Sequence, residues 1–400
     1  MVVASGLEVL CAERLDLCQG RRVSVLCHPA SVDHTLVHIV DRLMAAGVRP
    51  VRLFGPEHGV RGEAQDMVSV QAERDSRTGI AVTSLYGQSL ESLQPSQEEL
   101  ADTDVLLVDL QDIGSRYYTF IWTMALTMQA AARAGVAVVV LDRPNPIGGE
   151  AIEGGAVAPR YESFVGLASL PVRHGLTICE VAQLVRAGIP WGGPRFAAPL
   201  DLDLTVVPMQ GWCRRDFFEA TGLPWILPSP NMPTVDTALV YPGLCLIEGT
   251  NVSEGRGTTR PFEIIGAPFV DGHSLAERLA AHRLPGVGFR PLSFRPTFHK
   301  FAGQTCGGIQ IHVTDRAVFS PYRCGVAILL ELRALCGDAF CWRTEPYEFV
   351  SDRLAIDLLT GGDAIRTGVD RASTLADLEA TWLPAQHLFS ERRQAHLLYE

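Results

Sequence analysis

Through the first 150 residues, apolar runs of strand length alternate with stretches of helical period. Residues 22–27 form a β-rich run, and over 34–46 Leu36, Ile39, Val40, Leu43 and Met44 recur at helical spacing. Residues 51–54 read as a short apolar strand stopped by Gly55-Pro56, and 81–86 as another. A continuous apolar run at 105–110 leads to a helix over 120–134, and 136–141 closes the series before the turn-rich 142–149. Strands without a polar face are buried on both sides, so the alternation predicts a parallel, doubly wound α/β sheet of Rossmann-like type. Ligands of such sheets bind beyond the carboxyl ends of the strands, which selects the polar segments after Phe54, Leu110 and Leu141.

From about Glu150 the pattern changes. Proline and glycine crowd the stretch from Pro190 to Pro268, which implies long shaped loops. Regular signals return as a helix over 275–282, an alternating strand over 308–313 and a helix over 318–335, and the last forty or so residues mix short helical patterns with polar turns. The expected organisation is a Rossmann-like domain over 1–150 and a mixed α/β domain over 151–400. No GxGxxG follows the first strand, where Cys27-His-Pro-Ala-Ser31 lacks the glycines a pyrophosphate needs, so a nucleotide-dependent enzyme is disfavoured.

Composition narrows the function without naming it. Hydrophobic residues are 47% and charged residues 20% of the chain, a globular balance. A net charge of -11 argues against nucleic acid as a partner but not against a small anion beside a local arginine cluster. The ten cysteines are spread thinly with no CxxC pair, and Cys27, Cys245 and Cys324 sit in apolar runs as small hydrophobes. The first ten residues lack the basic and apolar regions of a signal peptide, and no apolar run approaches the ~20 residues that span a bilayer. The expectation is a cytoplasmic protein with reduced thiols, or a secreted one if a leader was removed. His34 and His38 have HxxxH spacing without the glutamate of HExxH and read as a solvated helix face, so no metal site is expected. No GxSxG elbow supports a serine hydrolase.

The polar segments carry the candidate chemistry. Glu57 and His58 lie between Gly55 and Gly59 directly after a strand, where a half-buried carboxylate with a raised pKa serves as general acid or base. Asp112 follows the strand at 105–110 and suits a sugar hydroxyl or a catalytic partner, with a helix cap as its structural alternative. Arg116 suits a two-pronged carboxylate contact, and Tyr117 offers a flat apolar face with a polar tip. Asp142 fits best in a structural pair with Arg143. Arg173 and His174 put two cationic side chains beside a helix start with a threonine cap at Thr177. The densest polar block runs over 228–260 and contains Asn231, Glu248, Asn251, Glu254, Arg256 and Arg260 among glycines, a set suited to a polyhydroxylated, anionic ligand.

GPEHG at 55–59, DIGSRYYT at 112–119, DRPNP at 142–146, VRHGLT at 172–177, PSPNMPT at 228–234 and EGTNVSEGRGTTRPFE at 248–263 occur in that order. Together they resemble the NamZ-type exo-β-N-acetylmuramidases, formerly a domain of unknown function, over nearly the whole chain. The resemblance implies a Rossmann-like domain joined to a second α/β domain, with the active site in the cleft between them. It implies release of N-acetylmuramic acid from the non-reducing end of peptidoglycan-derived saccharides in cell-wall recycling, with no metal or organic cofactor. It points to Glu57 as the principal catalytic carboxylate and leaves Glu248, Glu254 and Asp112 open as the second group. If the substrate acetamide attacks the anomeric carbon, no enzyme nucleophile is needed. Arg116, Arg173, Arg256 and Arg260 are then candidates for the lactyl carboxylate, and Asn231 or Asn251 for the amide. Cys179 departs from the glycine the family pattern has there. The rival readings are a non-catalytic muropeptide-binding protein, with no use for an acid at Glu57, and a β-N-acetylglucosaminidase, with no need of a lactyl-binding arginine.

Overall fold

The computed structural model describes residues 2–57, 59–60, 74–87, 89–191 and 193–400, with Leu90 described by its backbone alone. Among the described residues, six parallel strands form the first sheet: β1 (Val23–Cys27), β2 (Arg52–Gly55), β3 (Ala81–Ser84), β4 (Val105–Asp109), β5 (Ala137–Leu141) and β6 (Leu204–Val207). Their order is β3-β2-β1-β4-β5-β6, so the winding reverses between β1 and β4. Five helices accompany the sheet: α1 (Gly6–Glu13), α2 (Ile39–Ala45), α3 (Gln97–Leu100), α4 (Phe120–Ala134) and α5 (Ile178–Ala187). Successive strand residues point to opposite faces, and each face has its own core. Val23, Val25, Leu107 and Val139 meet Leu7 and Leu10 of α1 and Ile39 and Leu43 of α2. Leu26, Leu106, Val108 and Val138 meet Trp122 and Met124 of α4 and Val181 of α5.

The expected helix over 34–46 starts later, at Ile39. Asp33 Oδ1 accepts from the backbone N–H groups of Thr35 (2.9 Å) and Val37 (3.0 Å), holding a turn in which Leu36 has φ 66°. His38 is the N-cap of α2 and accepts from Val40 N–H, so His34 and His38 share no solvated helix face. The strand β6 gives almost no sequence signal, because it is only four residues, three of them half-buried, inside the proline- and glycine-rich stretch. It pairs with β5, so the expected boundary near 150 falls inside the residue span of the sheet. Asp142 is structural but not through Arg143. Arg143 donates to Asp109 Oδ2 (2.8 Å), while Asp142 accepts from Thr177 Oγ1 (2.9 Å), Cys179 N–H (3.0 Å) and the Tyr399 hydroxyl. Burial pushes the Asp142 carboxyl up to about 7, against the pull of those three donors.

The second unit has α6 (Val235–Leu244), β7 (Ile264–Ala267), α7 (Gly272–Ala281), β8 (Val287–Phe294), β9 (Cys306–Val313), α8 (Pro321–Cys336), α9 (Ala355–Thr360), α10 (Ala364–Asp370) and α11 (Leu375–Arg393). Its sheet is antiparallel in the order β7-β9-β8. Helices α6 and α8 cross where Gly243 meets Gly325, and a Cβ on Gly243 would lie 1.8 Å from the Pro321 carbonyl oxygen. The apolar core behind α4 and α5 runs on without a break into Leu239 of α6, Leu329 of α8 and Ile309 of β9. Among the described residues no helix is long and apolar enough to cross a membrane.

Arg116 ties the units together. Its side chain is fully buried, and it donates to the carbonyl oxygens of Gly155 (2.6 Å), Leu170 (2.6 Å) and Leu359 (2.5 Å). Leu359 belongs to α9 of the second unit. Desolvation lowers the guanidinium pKa to about 10, which still leaves it charged at neutral pH. Replacing Arg116 with Met strands three acceptors at once, two of them buried. Hydrogen bonds to charged groups are worth roughly 1.5–3 kcal/mol each, so Arg116→Met should cost at least about 3 kcal/mol in urea denaturation. A loss below about 1 kcal/mol would show that the tie is dispensable.

Candidate active site

Strand β2 ends at Gly55, and the chain turns back at once. Gly59 N–H donates to Pro56 O (2.9 Å) with Gly59 at φ 79°, and a Cβ on Gly55 would lie 2.7 Å from Val60 N. The tight turn sets Glu57 at the carboxyl edge of the sheet, 8% exposed. Thr119 occupies the N-cap position of α4 yet makes no cap hydrogen bond, and its hydroxyl donates to Glu57 Oε2 instead (2.9 Å). A local helix signal is thus given up to hold a carboxylate from another segment.

Glu57 opens into a cleft that both units line. The first unit adds Tyr117, Tyr118, Thr119 and Val165, and the 229–232 loop adds Ser229, Asn231 and Met232. Tyr241, Glu248, Arg256, Phe262, Tyr347 and Glu348 complete it. The aromatic rings brace one another edge-on: Tyr117 and Tyr118 lie 5.9 and 6.0 Å from Tyr241, and Tyr241 lies 4.8 Å from Phe262. Tyr117 also donates its hydroxyl to Pro242 O. Burial pushes the phenols of Tyr117, Tyr118, Tyr241 and Tyr347 well up, so they remain protonated donors at neutral pH.

Arg256 crosses the far wall. Its Nη2 donates to Glu248 Oε1 (2.7 Å), its Nε lies 3.4 Å from Glu254 Oε1, and its guanidinium carbon sits 5.3 Å from the Phe262 ring centre. Tyr347 donates to the other oxygen of Glu248 (2.8 Å). Behind them Glu254 is fully buried, with Lys300 Nζ at 2.9 Å and His299 Nδ1 at 3.1 Å. Burial alone would raise the Glu254 carboxyl, but Lys300, His299 and Arg256 outweigh it and hold the group well below the usual carboxylate range. The cleft therefore offers carboxylates, a guanidinium, phenols, a hydroxyl and an amide around one space, which suits acid–base work on a polyhydroxylated anion.

Of the residues singled out by sequence, Glu57, Glu248, Tyr117, Asn231 and Arg256 line this cleft. His58 lies outside the described residues. Glu254 stands behind the wall. The others are placed elsewhere by partners that residue type alone does not reveal. Asp112 caps no helix: its Oδ2 accepts from Gly114 N–H (2.7 Å) and lies 3.4 Å from His174 Nε2. His174 is fully buried, and its Nδ1 accepts from Leu176 N–H (3.1 Å). Arg116 is spent on three carbonyls, and Arg173 on Glu153 (2.7 Å) and Ile147 O. Asn251 bridges Ala339 O (2.9 Å) and Cys341 N–H (3.0 Å), and Arg260 pairs with Glu263 (3.1 Å). Tyr347 and Glu348 belong to the cleft without any motif to announce them. Among the described residues, no group of three or more His, Cys, Asp or Glu side chains gathers as a metal-ligand set.

Two family descriptions cover the chain: Exo-beta-N-acetylmuramidase NamZ, N-terminal, over residues 23–236, and Exo-beta-N-acetylmuramidase NamZ, C-terminal, over 239–399. Their junction falls just before α6 ends its first turn. The chain is 42% identical over 398 residues to the peptidoglycan beta-N-acetylmuramidase NamZ of Bacillus subtilis (strain 168), covering 99% of this chain and 91% of that one. It is also similar to two crystal structures of DUF1343 family proteins from Bacteroides fragilis NCTC 9343. One has a TM-score of 0.87 at 34% identity, the other 0.78 at 26%, and each covers 100% of this chain and 99% of its own. With both halves of the chain matched, and a relative of this identity matched end to end, the chain belongs to the exo-β-N-acetylmuramidase NamZ family.

Proposed function

We propose that the cleft holds the terminal N-acetylmuramic acid of a peptidoglycan-derived saccharide and that Glu57 is its general acid and base. The protein is a glycosidase, a β-N-acetylmuramidase by family. The observation that carries the reading of the site is that Glu57 and Arg256 line one cleft, a proton donor and a carboxylate reader facing the same space. Glu57 gives its proton to the glycosidic oxygen as the bond to the anomeric carbon breaks, and the bonding pair leaves with that oxygen. Water completes the cycle: its oxygen bonds to the anomeric carbon and its released proton restores Glu57. Thr119 donates to Glu57 Oε2 and fixes the carboxylate in the cleft wall. Arg256 is the arginine for the lactyl carboxylate, since Arg116, Arg173 and Arg260 are committed outside the cleft. Glu254 and Asp112 do not line the cleft, which speaks against either as the second catalytic group, and Glu248 orients Arg256.

Glu57→Gln keeps the shape and removes the titrating proton, so turnover of a chromogenic β-N-acetylmuramide should fall by about 10²–10⁴-fold. Near wild-type turnover by the folded variant would refute the assignment.

An arginine that reads the lactyl group matters for a muramide and hardly for the matching glucosaminide. A hydrogen bond to a charged group is worth roughly 1.5–3 kcal/mol, or about one to two decades of kcat/KM. Arg256→Ala should lower the muramide-to-glucosaminide ratio by that amount, while Arg260→Ala should leave it unchanged. Equal losses on both sugars with Arg256→Ala would mean that the residue only holds the loop.

A further inference from the structure

One stretch of the cleft is held in a conformation that its own residues disfavour. Tyr347 N–H donates to Val350 O (2.9 Å) and Val350 N–H to Tyr347 O (3.0 Å), closing a two-residue hairpin turn. The central residues Glu348 and Phe349 have φ 47° and 67°. Positive φ at both centres is the pattern of mirror-image hairpin turns, where Asn-Gly is preferred because other side chains crowd the backbone. Here the two places are taken by a glutamate and a phenylalanine, and both side chains are engaged. Glu348 is 7% exposed and lines the cleft. Phe349 packs edge-on against Tyr86 (6.2 Å) and Phe164 (6.4 Å), which belong to the first unit. Tyr347, at the foot of the turn, holds Glu248. Strain of this kind survives where the surrounding structure imposes it, and such residues cluster at active sites.

We propose that the turn is kept under strain to present Glu348 as a second catalytic carboxylate, one that faces the sugar ring and stabilises the positive charge that grows there as the glycosidic bond breaks. This rests on the reading of the cleft as a muramidase site with Glu57 as the acid. The transition state of such reactions is oxocarbenium-like, and a carboxylate already fixed beside it needs no rearrangement to stabilise it. Phe349, beside Glu348 in the turn, packs against Tyr86 and Phe164 and helps to hold the turn in place.

The test compares wild type, Glu348→Gln and the double variant Glu348→Asn/Phe349→Gly on a chromogenic β-N-acetylmuramide, with melting temperatures alongside. Glu348→Gln should lower kcat by about 10²-fold with KM within about threefold. The double variant installs the preferred turn dipeptide, so it should melt at the wild-type temperature or a few degrees higher while kcat falls at least as far. Wild-type kcat in either variant overturns the proposal, and so does a double variant that loses activity only by melting lower. Failure of the wild type itself on the muramide refutes the underlying reading of the cleft instead, and the two failures are told apart by that first measurement.

Discussion

A buried guanidinium satisfied by three backbone carbonyls is the constraint on which the cleft depends. Taking the Arg116 charge out of water is costly, and only carbonyl dipoles converging from 155, 170 and 359 make it tolerable. Those acceptors come from three separate segments, one of them in α9, so none can shift without exposing a charge to an apolar core. The three residues that follow, Tyr117, Tyr118 and Thr119, are thereby fixed in the cleft wall. Thr119 in turn holds Glu57, which places the proposed acid at the end of a chain of fixed contacts that begins with Arg116.

The opposite wall is organised by charge. Glu254 sits fully buried among Lys300, His299 and Arg256, and the cations keep it ionised. Lys300 offsets that carboxylate and also donates to Ile247 O and Val252 O, so the base of the 248–256 loop is stitched to one ammonium. Arg256 lies between Glu248 and Glu254, which hold its guanidinium against the wall of the cleft. An arginine held by carboxylates on its inner side is preorganised: little side-chain entropy remains to be lost when a ligand carboxylate docks.

The fold was largely legible because parallel strands buried on both faces write continuous apolar runs, and their carboxyl ends pointed to Glu57 directly. Strand β6 escaped because four residues amid prolines, three of them half-buried, carry no such run. The candidate site was legible in part. Glu57 and Arg256 stand where motifs placed them, but Arg116, Arg173, Arg260 and Asn251 have the same residue types and serve as structural ties. What separates them is partner, a carbonyl at 359 or a glutamate at 153, and partners remote in sequence leave no local signature. Tyr347 and Glu348 were invisible for the converse reason: a turn written as Glu-Phe where Asn-Gly is expected gives no turn signal, and its meaning emerges only when φ and the facing cleft are known.

A crystal structure of Glu57→Gln with an uncleaved disaccharide of N-acetylmuramic acid β-linked to N-acetylglucosamine would place the sugar directly. The terminal muramic acid should occupy the cleft, its lactyl carboxylate on Arg256 and its glycosidic oxygen about 3 Å from the side chain at position 57. A disaccharide bound with glucosamine in the cleft, or with the lactyl group turned away from Arg256, would contradict the account.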